Sequence, residues 1–426
     1  MYWFNLILYT FFVLPYAIHY MKKYGIAPAS VWFAMETLFF YGICFAPAGQ
    51  TDIAIKLETI YVCACFSFIL GLELSKRIRW ENVKYNSQQY LNNDPSKPQM
   101  YIIWLIIFVG ILLCSYLFVS GGVNVFIQSL SNFISSNNEV FNLQRAQFFG
   151  VKGQGYIYQF RVVLLPVLCT FILIGLNNKY SKKISIPLFG LMIIFLLGTG
   201  QRNAFVFFSL IILLYIYAVK KCFNETIISN TKILIMGCSF VFFLIVLTIS
   251  NGRVGDEDNL VLGAIWSLVD RILFVNQKTA IFAFSYLDTQ PIVWGYDWFM
   301  MLMDILPGQS GYVSVDRIVY YYAYGTYKGT GPPCLWGSAW YNFGIFGITL
   351  FPFLMGIIYH KCHKNMYIIK NKNKLYLIIY TALCVYMGLW TYGTPMTLFN
   401  NGVVTILLLR WLLFRFAKNI KTIKVK

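Results

Sequence analysis

Charge is scarce in this sequence. Asp, Glu, Lys and Arg make up 12% of its 426 residues, about half of the roughly 25% usual in soluble proteins, while 58% of the chain is hydrophobic. That balance excludes an ordinary water-soluble domain. Histidine is rarer still: His19, His360 and His363 all fall at the ends of apolar stretches, and no Cys-x-x-Cys pair occurs. Such a set predicts neither a structural nor a catalytic zinc site, and no cofactor is implied. The 10 cysteines lie almost entirely in or beside apolar runs. Cys334 alone sits in a long loop, which argues against a disulfide framework. The first apolar stretch lacks a basic leader and a small-residue cleavage site, so it reads as a span and not a removable signal. There is no internal repeat, which counts against an inverted-repeat transporter.

What the chain does have is apolar blocks of roughly 15 to 20 residues, the length a helix needs to cross a hydrocarbon core. They predict an all-α polytopic membrane protein, a single integral membrane domain over 1–426, with about eleven transmembrane helices. The expected spans are 2–20, 29–46, 57–75, 101–119, 155–176, the two arms of 185–219, 233–249, 339–359, 375–390 and 398–416. Lys and Arg total 34 against 16 acids, a net charge of +18. The excess is topological. Lys22-Lys23, Lys76-Arg77-Ile78-Arg79, Lys220-Lys221 and the lysines of 361–374 mark cytoplasmic ends. Only Glu73, Glu81, Asp94 and Glu225 oppose them there. This orientation sets the N-terminus outside and the C-terminus inside. It assigns the charge to attraction for membrane lipid and excludes a nucleic-acid partner.

Glu36 falls at mid-depth of the second span. An intramembrane carboxylate is either a functional group or a side chain bonded to a neighbouring helix. Two outer loops are long, 120–154 and 250–337, and the second has a length that is uncommon unless a loop is functional. Within it, 260–284 has Ser267, Asp270, Arg271, Gln277 and Lys278 on one helical face and apolar residues on the other. That pattern predicts a helix lying in the outer interface, or a tilted or re-entrant pass. Next come Trp294-Gly295-Tyr296-Asp297-Trp298, then Asp304, Asp316 and Arg317, then a tyrosine-dense run at 320–327. Rings with a polar handle suit sugar faces and membrane interfaces alike. Trp294, Trp298 and Tyr321 are the candidate sugar contacts.

The run 185–219 is interrupted by Gly198-Thr199-Gly200-Gln201-Arg202-Asn203. Its ~52 Å of helix falls short of the ~60 Å that two crossings require, so Arg202 is expected slightly below the membrane surface. A guanidinium at that depth either snorkels to lipid headgroups or faces a polar cavity and an anion. Arg161, Arg253, Arg271 and Arg317 share its side of the membrane. Arginine forks suit a diphosphate. A substrate with a lipid tail, a diphosphate and sugars would match this arrangement of apolar core, arginines and aromatic outer loop.

The segment Leu197-Gly198-Thr199-Gly200-Gln201-Arg202-Asn203-Ala204 resembles the small-residue-plus-Arg hairpin of bacterial O-antigen polymerases (Wzy type) and ligases. Gly331-Pro332-Pro333-Cys334-Leu335-Trp336-Gly337-Ser338-Ala339-Trp340-Tyr341-Asn342-Phe343-Gly344 resembles the end of the polymerases' large periplasmic loop. The order of elements is similar too. This resemblance implies a GT-C-like glycosyltransferase of the bacterial inner membrane, with one large periplasmic loop containing interfacial helices. It would move a growing glycan from undecaprenyl diphosphate onto an incoming lipid-linked repeat unit. By that analogy Arg202 and Arg161 clamp the leaving diphosphate, and Arg253 and Arg271 assist. Asp270 and Asp297 are candidates for the base that takes the acceptor's proton, unless each pairs with an arginine. The ligases are thought to use a histidine in the long loop. This chain has none there, which favours polymerase over ligase. A flippase or transporter of lipid-linked oligosaccharide is the alternative of another class. A chain-length regulator and a flippase are the expected protein partners.

Overall fold

A computed structural model describes residues 1–77, 96–119, 157–175, 183–184, 186–188, 190–192, 203–223, 226, 229–250, 259–304, 306, 312–325, 331–368 and 374–422. In chain order the helices are α1 (Tyr2–Tyr24), α2 (Pro28–Cys44), α3 (Asp52–Arg77), α4 (Ser96–Val119), α5 (Gln159–Leu173), α6 (Asn203–Phe223), α7 (Asn230–Ser250) and α8 (Leu260–Asp270). They continue as α9 (Asn276–Leu287), α10 (Tyr296–Met303), α11 (Val315–Tyr324), α12 (Leu335–Phe343), α13 (Ile345–Ile368), α14 (Lys374–Gly388), α15 (Met396–Asn400) and α16 (Val403–Thr422). Among the described residues, the one β-type pairing is an isolated bridge between Cys334 and Tyr392.

This is an all-α membrane protein. Among the described residues, four stretches are long and apolar enough to cross a bilayer: Tyr2–Tyr24, Asp52–Arg77, Met100–Val119 and Ile345–Lys364. Shorter apolar stretches occupy α5, α6, α14 and α16. Two expected spans are divided by glycine. The stretch 339–359 breaks at Gly344, φ 57°, so α12 and α13 are separate helices. The stretch 398–416 breaks before Gly402, φ 86°, which separates α15 from α16. Left-handed backbone of this kind is cheap for glycine and stops a helix from running on.

The chain divides into two compact units, each discontinuous in sequence. The first comprises Met1–Glu81, Val269–Tyr367 and Tyr386–Asn401; the second comprises Asn82–Leu268, Ile368–Val385 and Gly402–Lys426. In the first unit α3 is the long axis. Thr51 caps its start, accepting the Ala54 amide at 3.3 Å. Asp52 begins it and Lys76 and Arg77 end it, an arrangement that complements the helix dipole. It crosses α13 at very close range, with Gly71 against the Phe353 carbonyl and Gly356 against the Phe68 carbonyl. Small residues permit such backbone approach between apolar helices. Around the crossing, Trp32 packs on Phe68 at 4.0 Å and Phe68 on Tyr359 at 5.6 Å.

The predicted amphipathic segment is a helix, but its second half is built into this unit. A π turn at Arg271–Val275 joins α8 to α9, and α9 packs on α2, α3 and α12. Gly42 of α2 lies against the Leu273 carbonyl and the Gln277 side chain. Gln277, expected on the polar face, is therefore buried. The second unit holds α5, which packs on α4, α6 and α16. Thr405 donates to Gln159 Oε1 at 2.8 Å across the contact between α16 and α5.

Candidate functional site

The ends of the first unit differ in chemistry. At one end, the Lys76 ammonium lies 5.3 Å from the ring centres of Tyr16, Tyr20 and Tyr24. It pairs with Glu73, and Tyr20 meets His360 Nδ1 at 3.2 Å. Lys22 and Lys23 lie in the last turn of α1 at this end. The other end is marked by Lys56, paired with Asp288 at 2.6 Å and 5.4 Å from the Trp340 ring centre. From Lys56 to Lys76 along α3 is ~30 Å, the thickness of a hydrocarbon core.

At the Lys56 end, α12 organises the surrounding segments. Its N-cap is Cys334, whose Sγ accepts the Gly337 amide at 3.2 Å. The Leu335 amide donates to the Thr391 carbonyl at 3.1 Å, and Gly393 donates to Pro333 at 2.6 Å. On the membrane side, Trp336 donates its indole N–H to Glu36 Oε1 at 2.6 Å, and both residues are fully buried. Glu36 is thus bonded to a neighbouring helix, one of the two roles its sequence position allowed. Farther along α12, Ser338 Oγ accepts the Trp298 indole N–H at 2.8 Å, and Asn342 Oδ1 accepts the Trp298 amide at 3.3 Å.

The last turn of α12 also holds the segment before α10. Val293 donates to the Tyr341 carbonyl at 3.1 Å and Gly295 to the Asn342 carbonyl at 3.0 Å. Between them Trp294 adopts φ 52°, followed by Gly295 at 84°. A tryptophan in the left-handed region costs on the order of 1 kcal/mol. Here that conformation leaves the indole 71% exposed. Tyr296 is exposed beside it and meets Tyr312 edge-on at 5.9 Å. Tyr322, also exposed, packs on Tyr286 at 5.0 Å and Phe282 at 5.6 Å.

Two carboxyl groups share α10 and α11 with Tyr296 and Tyr322. Asp297, in the first turn of α10, is 1% exposed. Its Oδ1 accepts the Tyr312 hydroxyl at 2.6 Å and the Val315 amide at 3.3 Å, while Oδ2 has no partner among the described residues. Asp316, in the first turn of α11, is half-buried, with Oδ1 sequestered and unbonded among the described residues. Its carbonyl accepts the Gly331 amide at 2.8 Å, which ties α11 to the segment entering α12. Burial raises the Asp297 carboxyl above its ordinary range, opposed by the bonds from Tyr312 and Val315. Burial, and after it the charge of Asp297, pushes Asp316 up to about 7. Both acids are thus raised, and carboxyl groups with proton affinities shifted by burial are common at sites of acid–base chemistry.

The predicted site residues are distributed as follows. Arg202 and Arg253 lie outside the described residues. Arg161 is buried in the π turn at Gln159–Leu164 of the second unit, its guanidinium 5.6 Å from the Tyr158 ring centre. Asp270 pairs with Lys278 at 3.1 Å in the open, so its partner is a lysine and not an arginine. Arg271 and Arg317 are exposed, as is Tyr321. Trp298 is not a free platform: it is buried and bonded to α12. Trp294 is free to stack, and Asp297 is the acid that the fold encloses. Asp316, Tyr312 and Asn342 complete the arrangement and were not singled out by sequence. Asp316 follows Ser314 at a helix start, where an acid is ordinary, so tertiary contact alone marks it. No protein family, no curated protein and no solved structure matches the chain.

Proposed function

We propose that this chain is a membrane glycosyltransferase of the O-antigen polymerase type. It transfers a growing glycan from undecaprenyl diphosphate onto the sugar of an incoming lipid-linked repeat unit, at the periplasmic face of the bacterial inner membrane. The GT-C-like architecture and the count of about eleven spans belong to the same proposal. The observation that carries it is the Asp297–Asp316 pair on the helices that also carry exposed Tyr296 and Tyr322, next to exposed Trp294, at the end of α3 opposite Lys76 and Arg77. Exposed rings fit the apolar faces of sugars, and carboxylates accept sugar hydroxyls and their protons. Basic ends favour the cytoplasm, which supports an outer position for the rim. The leaving diphosphate calls for fixed cations. Arg161, with Arg202 and Arg253, is the candidate set, because guanidinium forks match phosphate oxygens and hold charge as it develops.

The test uses purified protein in lipid nanodiscs with a defined lipid-linked repeat unit. The expected product is a ladder of lengthened glycans, abolished by Arg202→Ala and by Arg161→Ala at normal expression. Protein that carries the units between leaflets without lengthening them would overturn the proposal in favour of a flippase.

A further inference from the structure

Asp316 is an unexplained expense in this fold. A carboxyl oxygen sequestered without a hydrogen bond costs stability, and here a second carboxylate stands nearby. No cation offsets the pair among the described contacts. Arg317 follows in sequence but is exposed. Among the described residues, the charged group placed against Asp316 is Asp297 of α10, whose Oδ1 accepts the amide of Val315, the residue before Asp316. Asp297 Oδ1 takes two donors, Tyr312 and Val315, whereas Asp316 Oδ1 has none among the described residues. The asymmetry divides the labour. Asp297 is the carboxylate whose charged form is bonded, and when ionised it raises the proton affinity of Asp316. Since Oδ1 of Asp316 is enclosed, its other oxygen is the one that solvent or a substrate reaches.

We propose that Asp316 is the general base of the transfer reaction and that Asp297 is its positioning and basicity-setting partner. This rests on the glycosyltransferase reading above. In the step, the acceptor hydroxyl oxygen forms a bond to the donor's anomeric carbon as the bond from that carbon to the diphosphate oxygen breaks. The bonding pair leaves with the diphosphate, and the hydroxyl proton passes to the accessible oxygen of Asp316, which later releases it to water. A base whose proton affinity lies near neutrality is well matched to this work, because it is ionised in useful amounts and still draws the proton. The rim formed by Trp294 and Tyr296 would hold the acceptor sugar over it.

The test compares wild type with Asp316→Asn, Asp316→Glu and Asp297→Asn, using purified protein with a defined lipid-linked repeat unit. Elongation rates are measured across pH, and carboxyl infrared bands are titrated without substrate. Wild type is expected to show a rate that rises with pH through a midpoint near 7 and a carboxyl band that disappears over the same range. Asp316→Asn should lose both the band and the pH limb, with a rate reduced by roughly 10²–10⁴-fold. Asp316→Glu should keep a limb at reduced rate, and Asp297→Asn should move the limb to lower pH. An Asp316→Asn enzyme that elongates at the wild-type rate with the same limb would refute the base assignment and leave the glycosyltransferase reading intact. Wild type that fails to elongate any lipid-linked unit, even while its infrared band titrates as expected, would refute the glycosyltransferase reading and the catalytic role of Asp316 with it.

Discussion

Replacing Asp316 by Asn should make the protein more stable at alkaline pH, and the size of the gain follows from the site. In the folded chain Asp316 keeps its proton up to about 7, against 3.8 for an unperturbed aspartate. Between those values the folded state binds more protons than the unfolded state. The stability this group contributes is therefore complete below 3.8 and is lost as pH rises through about 7. At about 1.4 kcal/mol per pH unit the ceiling is ~4 kcal/mol. Solvent screening of a half-buried group reduces this to roughly 1–2 kcal/mol. Asn cannot titrate, so the difference in stability between variant and wild type should climb in favour of the variant from about pH 4 to about pH 8. Asp297→Asn should behave differently. Burial is the larger cause of the rise at Asp316 and the Asp297 charge the smaller, so loss of that charge should move the wild-type midpoint down without returning it to the ordinary aspartate range. The assay is unfolding in detergent micelles at a series of pH values, with wild type and variants side by side. Taking differences removes the titration of every group they share. Stability curves for Asp316→Asn and wild type that stay parallel across this window would refute the placement of a proton on Asp316.

Other expectations follow from the same contacts. Trp294→Gly relieves a left-handed tryptophan, so stability should hold or rise by up to ~1 kcal/mol. Loss of the exposed ring should weaken acceptor use about tenfold, read as KM in the elongation assay. Trp336→Phe removes the donor to Glu36 and should cost ~1–3 kcal/mol in unfolding experiments. Adding Glu36→Leu should restore part of that, since an apolar pair needs no hydrogen bond. Gly356→Leu drives a side chain into the Phe68 carbonyl and should destabilise the first unit by ~1–3 kcal/mol or prevent its assembly, visible as loss of the monodisperse peak in size-exclusion chromatography. A reporter fused after Gly325 should be periplasmic and one after Lys372 cytoplasmic. The reverse pattern would invert the membrane orientation used above.

Helical class and membrane character were legible in composition because both follow from hydropathy and length, which are local properties. The boundaries were less so. A hydropathy average runs smoothly through Gly344 and Gly402, and the left-handed backbone that divides the helices there is invisible to it. The polar face of 260–284 was read correctly at Asp270 and Lys278, which lie in the open. It failed at Gln277, because the absence of a side chain at Gly42 opens a place for that amide inside the unit. Asp297 was legible as a candidate base, since an acid amid tryptophans invites attention. Asp316 was not, because its distinction is the lack of a partner, and a missing bond leaves no mark on sequence. Trp294 and Trp298 look alike in the sequence, yet one is turned outward by a strained backbone and the other is bonded to Ser338.

One short helix connects two acidic features of the first unit, Glu36 and the pair Asp297 and Asp316. α12 holds Glu36 through Trp336 near its start and, near its end, bonds through Asn342 to the amide of Trp298, the residue after Asp297. Its entry is tied to the 391–393 segment and, through Gly331, to the carbonyl of Asp316 itself. A rigid element gripped at both ends is what two neighbouring carboxylates require. Left to itself, a loop bearing Asp297 and Asp316 would relax until the charges separated or reached water, since each gains solvation by moving apart. Here separation would break the bonds from α12 to Trp298, Val293 and Gly295, and then the burial of Trp298. Those contacts, each worth about 1 kcal/mol net, act together against the repulsion. The Gly-Pro-Pro-Cys entry and the Trp-Gly-Ser-Ala-Trp turn that follows it therefore have a physical role whatever the function of the site. They fix the helix that keeps an unfavourable pair of acids in place.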